Sequence, residues 1–170
     1  MFIIIFLCTL LVSANTANAK ELLSINENTS RCELLRALNG KHVPMDCRTK
    51  GVEPKKTAVL DDVLFANASY QLTINAKTVL TNVAQVMNET PQESYHVQGH
   101  ANKTGAYQRN LTLSQQRAQT IKQFLIAQGV NEQRLIAEGF SYDKPLENTD
   151  PTDAINRRVE FANNRELTHE

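Results

Sequence analysis

Two cysteines, Cys32 and Cys47, have the most specific chemistry in the sequence after its first 19 residues. In an oxidising compartment such a pair forms a disulfide, and closing a loop of this length stabilises a short segment by about 3 kcal/mol in the chain-entropy model. Two free thiols are the alternative. With His42 the cysteines make a poor metal site, because C-x-x-C spacing is missing. We therefore expect a Cys32–Cys47 disulfide and no metal.

The other reactive residue types form no catalytic pattern. No Ser-His-Asp or Cys-His arrangement stands in a motif, no Gly-rich loop could hold a phosphate, and metal-ligating residues do not cluster. Over 170 residues, 18 basic side chains balance 18 acidic ones, without a basic stripe that could neutralise a nucleic-acid backbone. We therefore expect a binding or structural protein with no catalysis, no cofactor and no nucleic-acid partner.

The first 19 residues have the composition of an export signal. They carry no charge, an apolar run extends from Phe2 to Val12, and the segment ends at Ala19 in an A-x-A pattern. The apolar run is shorter than the roughly 20 residues that span a bilayer, and signal peptidase recognises the A-x-A ending. We expect cleavage after Ala19 and a periplasmic protein. Because a basic n-region is missing, an uncleaved N-terminal anchor is the alternative.

Residues 20–56 have the pattern of a short N-terminal segment followed by a linker. A capping-box pattern begins at Ser30, the leucines after it share one face, and Gly40 supplies a C-terminal stop. The basic stretch 48–56 has linker composition. The sequence thus predicts one helix held by the disulfide and a domain boundary near residue 57.

Residues 57–162 alternate between a period of two and a helical period. The predicted strands are 58–65, 94–100, 134–140 and 158–161, and the predicted helices run from Leu72 to Met87 and from Thr112 to Ala127. The order strand, helix, strand, helix, strand, strand predicts an α+β fold with helices packed on one mixed sheet. Residues 163–170 are predicted to be a polar tail.

Four motifs in this stretch resemble those of the OmpA C-terminal-like family, in the family's order. GHANKTG (99–105) is similar to the G-H-T-D-x-x-G turn, and NLTLSQQRA (110–118) is similar to N-x-x-L-S-x-x-R-A. FANASYQL (65–72) is similar to the stretch before the first family helix, and NRRVE (156–160) to the last strand. The chain is identified as a family member on these motifs. Membership implies a two-layer βαβαββ sandwich over residues 57–162.

The resemblance also implies noncovalent binding of peptidoglycan through the diaminopimelate of its stem peptide. In the family, an Asp after the turn pairs with the ammonium group and an Arg on the second helix grips the carboxylate bidentately. The matching positions here are Asn102, Asn110, Arg117 and Arg158, with Arg157 as the alternative to Arg158. Because Asn102 replaces the Asp, we expect binding to be weaker by about 1 to 2 kcal/mol. That is a loss of roughly five- to thirtyfold in affinity.

The resemblance leaves two functions open. The first is a wall-binding module that anchors itself or a partner to peptidoglycan. The second is a structural subunit of an envelope-spanning assembly, such as a secretion system or motor, that uses the fold mainly for protein–protein contacts. Asn102 and the extra N-terminal segment favour the second function somewhat. The expected partners are peptidoglycan and envelope-assembly or outer-membrane proteins, and any outer-membrane association would come through a partner.

Overall fold

The computed structural model describes residues 21–39, 43–47, 56–61, 65–66 and 68–164. Within these residues the strands are β1 (Glu21–Ser24), β2 (Lys56–Asp61), β3 (Tyr95–Gly99), β4 (Leu135–Gly139) and β5 (Arg158–Asn163). The helices are α1 (Arg31–Asn39), α2 (Ile74–Glu89) and α3 (Tyr107–Ala127). The predicted export signal, most of the predicted linker and residues 165–170 lie outside the described residues. No helix in the described part of the chain is long and apolar enough to cross a membrane.

The strands form one mixed sheet in the order β1-β2-β5-β3-β4. β1 is parallel to β2, β3 is parallel to β4, and β5 is antiparallel to both of its neighbours. From β2 onward the elements follow the predicted βαβαββ order, and the three helices share one hydrophobic core with the sheet. The predicted α+β fold is therefore confirmed. The edge strand β1 was not predicted, since four residues are too few to show an alternating pattern.

The core side of the sheet follows from the two-residue period of its strands. In β3, Tyr95 and Val97 are buried against the helices, whereas His96 and Gln98 lie on the opposite face. Phe161 of β5 pairs with Val97 and joins the same cluster. Fully burying an apolar side chain of this size contributes about 1.5 to 3 kcal/mol. The helices are held on the sheet mainly by this burial.

Helix α3 begins at Tyr107, five residues before its predicted start at Thr112. Its first turn is largely exposed and contains no aliphatic residue, so that it adds nothing to the helical period of apolar residues. The helix ends before Gly129, as predicted, with a φ of 91° at that glycine. At the other end of the chain, β5 continues to Asn163, where the polar tail was predicted to begin.

The N-terminal segment packs onto the domain. Leu34, Leu35 and Leu38 of α1 belong to the same hydrophobic core as α2 and α3. Cys32 and Cys47 form the predicted disulfide, with their Cα atoms 5.2 Å apart. The sequence had not indicated whether this segment docks on the domain, and the structure shows that it does.

The predicted capping box starts helix α1. The Ser30 N–H donates to Glu33 Oε2 (2.8 Å), and the Glu33 N–H donates to Ser30 Oγ (3.3 Å). These two reciprocal bonds satisfy backbone donors that the first helical turn leaves unpaired.

A buried polar network ties α1 to the edge of the sheet where β3 begins. The Tyr95 hydroxyl donates to Asn39 Oδ1 (2.6 Å) and lies 3.0 Å from the Thr90 hydroxyl. The Asn163 amide donates to the Leu38 carbonyl (3.3 Å). Burial raises the pKa of Tyr95 to about 12. This edge of the sheet is therefore closed by side chains from several elements.

Two glycines allow α3 to lie close to the sheet. A Cβ atom at Gly99 would overlap the Ser114 backbone, and one at Gly139 would overlap the Gln115 backbone. The Gln115 side chain accepts from the Gly139 N–H (2.7 Å) and donates to the Ala137 carbonyl (3.3 Å). It thereby serves as a hydrogen-bonding partner along edge strand β4. These contacts fix the position of α3 relative to the loops described next.

Candidate functional site

The connections that could form a site converge at one edge of the sheet. β2 and β3 are both antiparallel to β5, and β4 is parallel to β3. The C-terminal ends of these three strands therefore share an edge, which we call the C-terminal edge. The loops 100–106 and 140–157 and the turn 68–71 all follow these strand ends.

An open cleft of about 510 Å³ lies at this edge, between the 68–71 turn and the first half of α3. Its volume falls within the range typical of small-ligand sites. The lining residues are Ala68, Ser69, Tyr70, Gln71, Gln108, Arg109, Thr112, Leu113 and Gln116.

The described lining of the cleft combines one cation with neutral hydrogen-bonding groups. Arg109 is the charged side chain among the described lining residues, and Gln71, Gln108 and Gln116 supply three amides. Tyr70 is 46% exposed and adds an aromatic face with a hydroxyl. Amides both donate and accept hydrogen bonds, whereas a guanidinium only donates. The arrangement suits a polar ligand that carries a carboxylate.

The 68–71 turn is a tight reversal closed by its own backbone. Phe65 and Leu72 form an isolated antiparallel bridge, and the Ala66 N–H donates to the Gln71 carbonyl (3.1 Å). Within the turn Ala68 has a φ of 50°, in the left-handed region that favours glycine. The wall of the cleft therefore holds backbone strain, which elsewhere often accompanies binding sites.

Arg117 supports this wall from below. It is 5% exposed, its Nε donates to the Ser69 carbonyl (3.0 Å), and its guanidinium carbon lies 4.8 Å from the centre of the Phe65 ring. A charge-assisted hydrogen bond combined with ring stacking holds the turn against α3. The predicted ligand arginine thus lies beneath the cleft and is not one of its lining residues.

Asn102 is buried in the loop that follows β3. It is 5% exposed, its Nδ2 donates to the Thr152 carbonyl (2.7 Å), and its Oδ1 accepts from the Thr104 hydroxyl (2.8 Å). Because a carbonyl oxygen can only accept, the atom facing Thr152 must be the amide nitrogen. Asn102 therefore joins loop 100–106 to loop 140–157 through a bond that an aspartate carboxylate could not make.

Asn110 connects α3 to the same loop. It lies in the first turn of the helix, is half-buried, and donates from Nδ2 to the Thr104 carbonyl (2.8 Å). Its side chain therefore helps to hold loop 100–106 against the start of α3.

Arg158 lies on the sheet face away from the helices. It is 4% exposed, donates from Nε to Glu160 Oε1 (2.7 Å), and donates from Nη2 to the Lys144 carbonyl (3.2 Å). His100 lies 3.9 Å from the same carboxylate and stacks on Phe140 with ring centres 5.5 Å apart. The pair Arg158–Glu160 thus ties loop 140–157 to β5. Arg157, the alternative to Arg158 in the sequence analysis, is half-buried.

The structure places the four predicted site residues at one edge of the sheet but in different surroundings. Asn102, Arg117 and Arg158 are buried, and Asn110 is half-buried. Gln108 and Arg109 were missed because the first turn of α3 was interpreted as a loop, and the lining residues from Thr112 onward were missed although they lie in the predicted helix. Gln108, Thr112 and Gln116 are spaced four residues apart, and this polar helical stripe is the signal that could have found them. In the described part of the chain, no group of three or more His, Cys, Asp or Glu side chains could hold a metal ion.

Residues 64–158 match the OmpA family, and this range contains both walls of the cleft. The chain belongs to the OmpA family. Among its relatives, the probable lipoprotein YiaD of Escherichia coli is 35% identical over 104 residues, which is 60% of this chain and 48% of YiaD. The peptidoglycan-associated lipoprotein of Mesorhizobium japonicum is 31% identical over 51% of this chain and 51% of that protein. This OmpA-family chain thus spans about half the length of these relatives.

A solved structure is similar over the same part of the OmpA-family chain. The cell wall anchor of the T6SS from Pseudomonas aeruginosa aligns with a TM-score of 0.52 and 31% identity, covering 61% of this chain and 76% of that one. The likeness supports the helix-on-sheet arrangement described above.

Proposed function

We propose that this OmpA-family chain binds peptidoglycan noncovalently in the periplasm, with a stem peptide in the cleft at the C-terminal edge. The observation that carries the proposal is the family match over residues 64–158, which contains the cleft. It is supported by one relative named a peptidoglycan-associated lipoprotein and by one similar structure described as a cell wall anchor. The proposed role is binding without catalysis.

The cleft supplies the groups that such a ligand requires. The exposed Arg109 guanidinium can grip a carboxylate bidentately, and the three glutamine amides can pair with peptide groups of the stem. In this proposal Arg117 positions the 68–71 wall through the Ser69 carbonyl. Asn102 positions the loop after β3 through the Thr152 carbonyl.

Direct ligand contact by the four residues matched to the family motif stays a prediction. Arg117 is nearly covered by the 68–71 turn, and Arg158 lies on the sheet face away from the helices. These positions favour a positioning role for both arginines. The same holds for Asn102 and Asn110, whose amides hold loop carbonyls.

Sedimentation with isolated peptidoglycan sacculi tests the proposal. We expect the wild-type protein to sediment with sacculi, and Arg109→Gln to sediment about tenfold less well, because a charge-assisted hydrogen bond contributes about 1.5 to 3 kcal/mol. Lys122→Gln is the matched control, since Lys122 lies about 20 Å further along α3 and pairs with Glu132 at the surface (3.5 Å). A folded wild-type protein that stays in the supernatant would contradict the proposal.

A second candidate is a structural role in an envelope assembly. It is favoured by the N-terminal segment, which adds β1 and α1 to the domain as a disulfide-bonded surface outside residues 64–158. The similar cell wall anchor is itself a T6SS protein. The two roles separate on lysozyme digestion of the wall. A complex with envelope proteins that survives digestion supports the assembly role, and release of the chain alone opposes it.

A further inference from the structure

The charge pattern of the cleft bears on which stem peptides it can take. The Arg109 guanidinium is the charged group on the described lining, and all other polar lining atoms belong to amides, hydroxyls or backbone. A guanidinium favours a carboxylate and disfavours an ammonium group. The described walls of the cleft thus attract the acid of a diaminopimelate residue and offer its amine neutral partners.

In the loop beside the cleft, residue 102 is neutral, although the family resemblance predicts a negative charge there to pair with the amine. Asn102 carries no charge, its amide nitrogen faces the Thr152 carbonyl, and its amide oxygen faces the Thr104 hydroxyl. The local geometry also resists a carboxylate at this position, because the Thr152 carbonyl requires a donor 2.7 Å away. The neutrality of residue 102 is thus built into the contact between two loops.

Two acidic side chains on loop 140–157 already accept hydrogen bonds from neutral donors. Asp143 accepts from the Tyr107 hydroxyl (2.6 Å), and Asp150 accepts from both the N–H and the hydroxyl of Thr152 (2.8 and 2.7 Å). These bonds orient both carboxylates within the loop. Neither residue is part of the cleft lining.

This inference rests on the proposed function. We infer that the cleft recognises the carboxylate of diaminopimelate and does not require its amine, so that it accepts cross-linked stem peptides as well as free ones. Direct cross-linking acylates that amine, which removes its positive charge, and leaves the neighbouring carboxylate unchanged. A site that required the ammonium group would bind only uncross-linked stems. The arrangement of Arg109 and Asn102 removes this restriction.

The test compares three forms of a stem tripeptide that ends in diaminopimelate and is amidated at its C-terminus, by calorimetric titration of the purified protein. The forms have a free side-chain amine, an acetylated side-chain amine, or an amidated side-chain carboxylate. We expect acetylation to change the Kd by less than about threefold, and amidation to weaken binding by at least about tenfold. Arg109→Gln should weaken the free and the acetylated peptides by the same factor, while Lys122→Gln should change neither.

The possible outcomes separate this inference from the proposed function. If the free peptide binds and acetylation weakens binding by tenfold or more, the inference is overturned while stem-peptide binding stands. Asp143→Asn and Asp150→Asn would then identify the acid that reads the amine. If none of the three peptides binds to the folded protein, both the inference and the proposed stem-peptide site are overturned.

Discussion

The two ends of strand β3 differ in what their polar side chains hold together. Where the strand begins, Tyr95 meets Asn39 and Thr90, so that side chains from β3, α1 and the end of α2 bond to one another. Where the strand ends, the amide nitrogens of Asn102 and Asn110 donate to backbone carbonyls of the loops, and the Asn102 oxygen accepts from the Thr104 hydroxyl of its own loop.

The difference between the two ends supports the position that we propose for the ligand. Bonds between side chains of packed elements satisfy both partners and close the surface, as at Tyr95. Bonds from side chains to loop carbonyls fix the shape of the loops and leave the adjoining helix turn exposed. The cleft with Arg109 lies at this second end. One end of the sheet is thus closed by packed elements, and the other holds the cleft that we propose as the binding site.

The largest expected effect is on the closed end. Replacing Cys32 and Cys47 together by alanine should lower the free energy of unfolding by about 3 kcal/mol, because the disulfide no longer restricts the unfolded chain. Urea unfolding measures the change. Wild type in a thiol reductant should match the double variant, and peptide binding to the cleft should be unchanged below the unfolding transition. A loss of peptide binding in the folded variant would show that the two ends of the sheet are not independent of each other.

The second prediction concerns the pH dependence of the closed end. The pKa of Tyr95 is raised from 10.0 to about 12, so the native state keeps a proton that the unfolded chain loses. The stability that this shift contributes is fully present below about pH 10 and is lost as the pH rises through about 12. The free energy of unfolding should fall by about 2 to 3 kcal/mol over this range. Tyr95→Phe should not show this part of the decrease when the free energy of unfolding is measured from pH 8 to 12.

Tyr70→Phe is the matched control for Tyr95→Phe, because Tyr70 is 46% exposed in the cleft wall. Its free energy of unfolding should depend on pH in the same way as that of the wild type. Parallel curves for wild type and Tyr95→Phe would show that the buried hydroxyl is not coupled to folding.

The third prediction concerns the loops at the open end. Asn102→Asp should cost about 2 kcal/mol at neutral pH, because the buried carboxylate cannot donate to the Thr152 carbonyl. Near pH 4 the loss should shrink, since a protonated acid can donate. Thermal and urea unfolding at both pH values measure the effect.

Asn131→Asp is the control for this exchange. The Asn131 side chain accepts from the Gln133 N–H (2.9 Å), and a carboxylate can accept the same bond. It should therefore leave stability nearly unchanged. Equal stability of Asn102→Asp and wild type at neutral pH would mean that the Thr152 bond does not hold the loop.

The smallest expected effect is on the strained wall. Ala68 has a φ of 50°, so Ala68→Gly should raise the free energy of unfolding by about 0.5 kcal/mol after the added entropy of the unfolded chain is subtracted. Ala37→Gly, inside helix α1, should lower it by about 0.5 to 1 kcal/mol. Denaturant titration of both variants checks the sign. A loss of stability in both would show that the turn at Ala68 is not strained.

Much of the fold could be predicted from local patterns. The period of two and the helical period located the elements from β2 to β5, and the capping box at Ser30 and the glycine stop at Gly129 located helix ends. Two cysteines behind a predicted export signal were enough to predict the disulfide. Strand β1 escaped because its edge position depends on pairing with β2 and not on its own pattern.

The sequence by itself determined the family. It also selected Asn102, Asn110, Arg117 and Arg158 as candidate site residues, because motif spacing is a property of the chain alone. Only the tertiary structure decided what these side chains contact. The Thr152 carbonyl that holds Asn102 lies 50 positions away in the chain, and the Ser69 carbonyl that holds Arg117 lies 48 positions away. Hydrophobic periodicity tells which face of an element is buried, but not which distant carbonyl a polar group will meet. That depends on loops brought together by the parallel strands of the sheet.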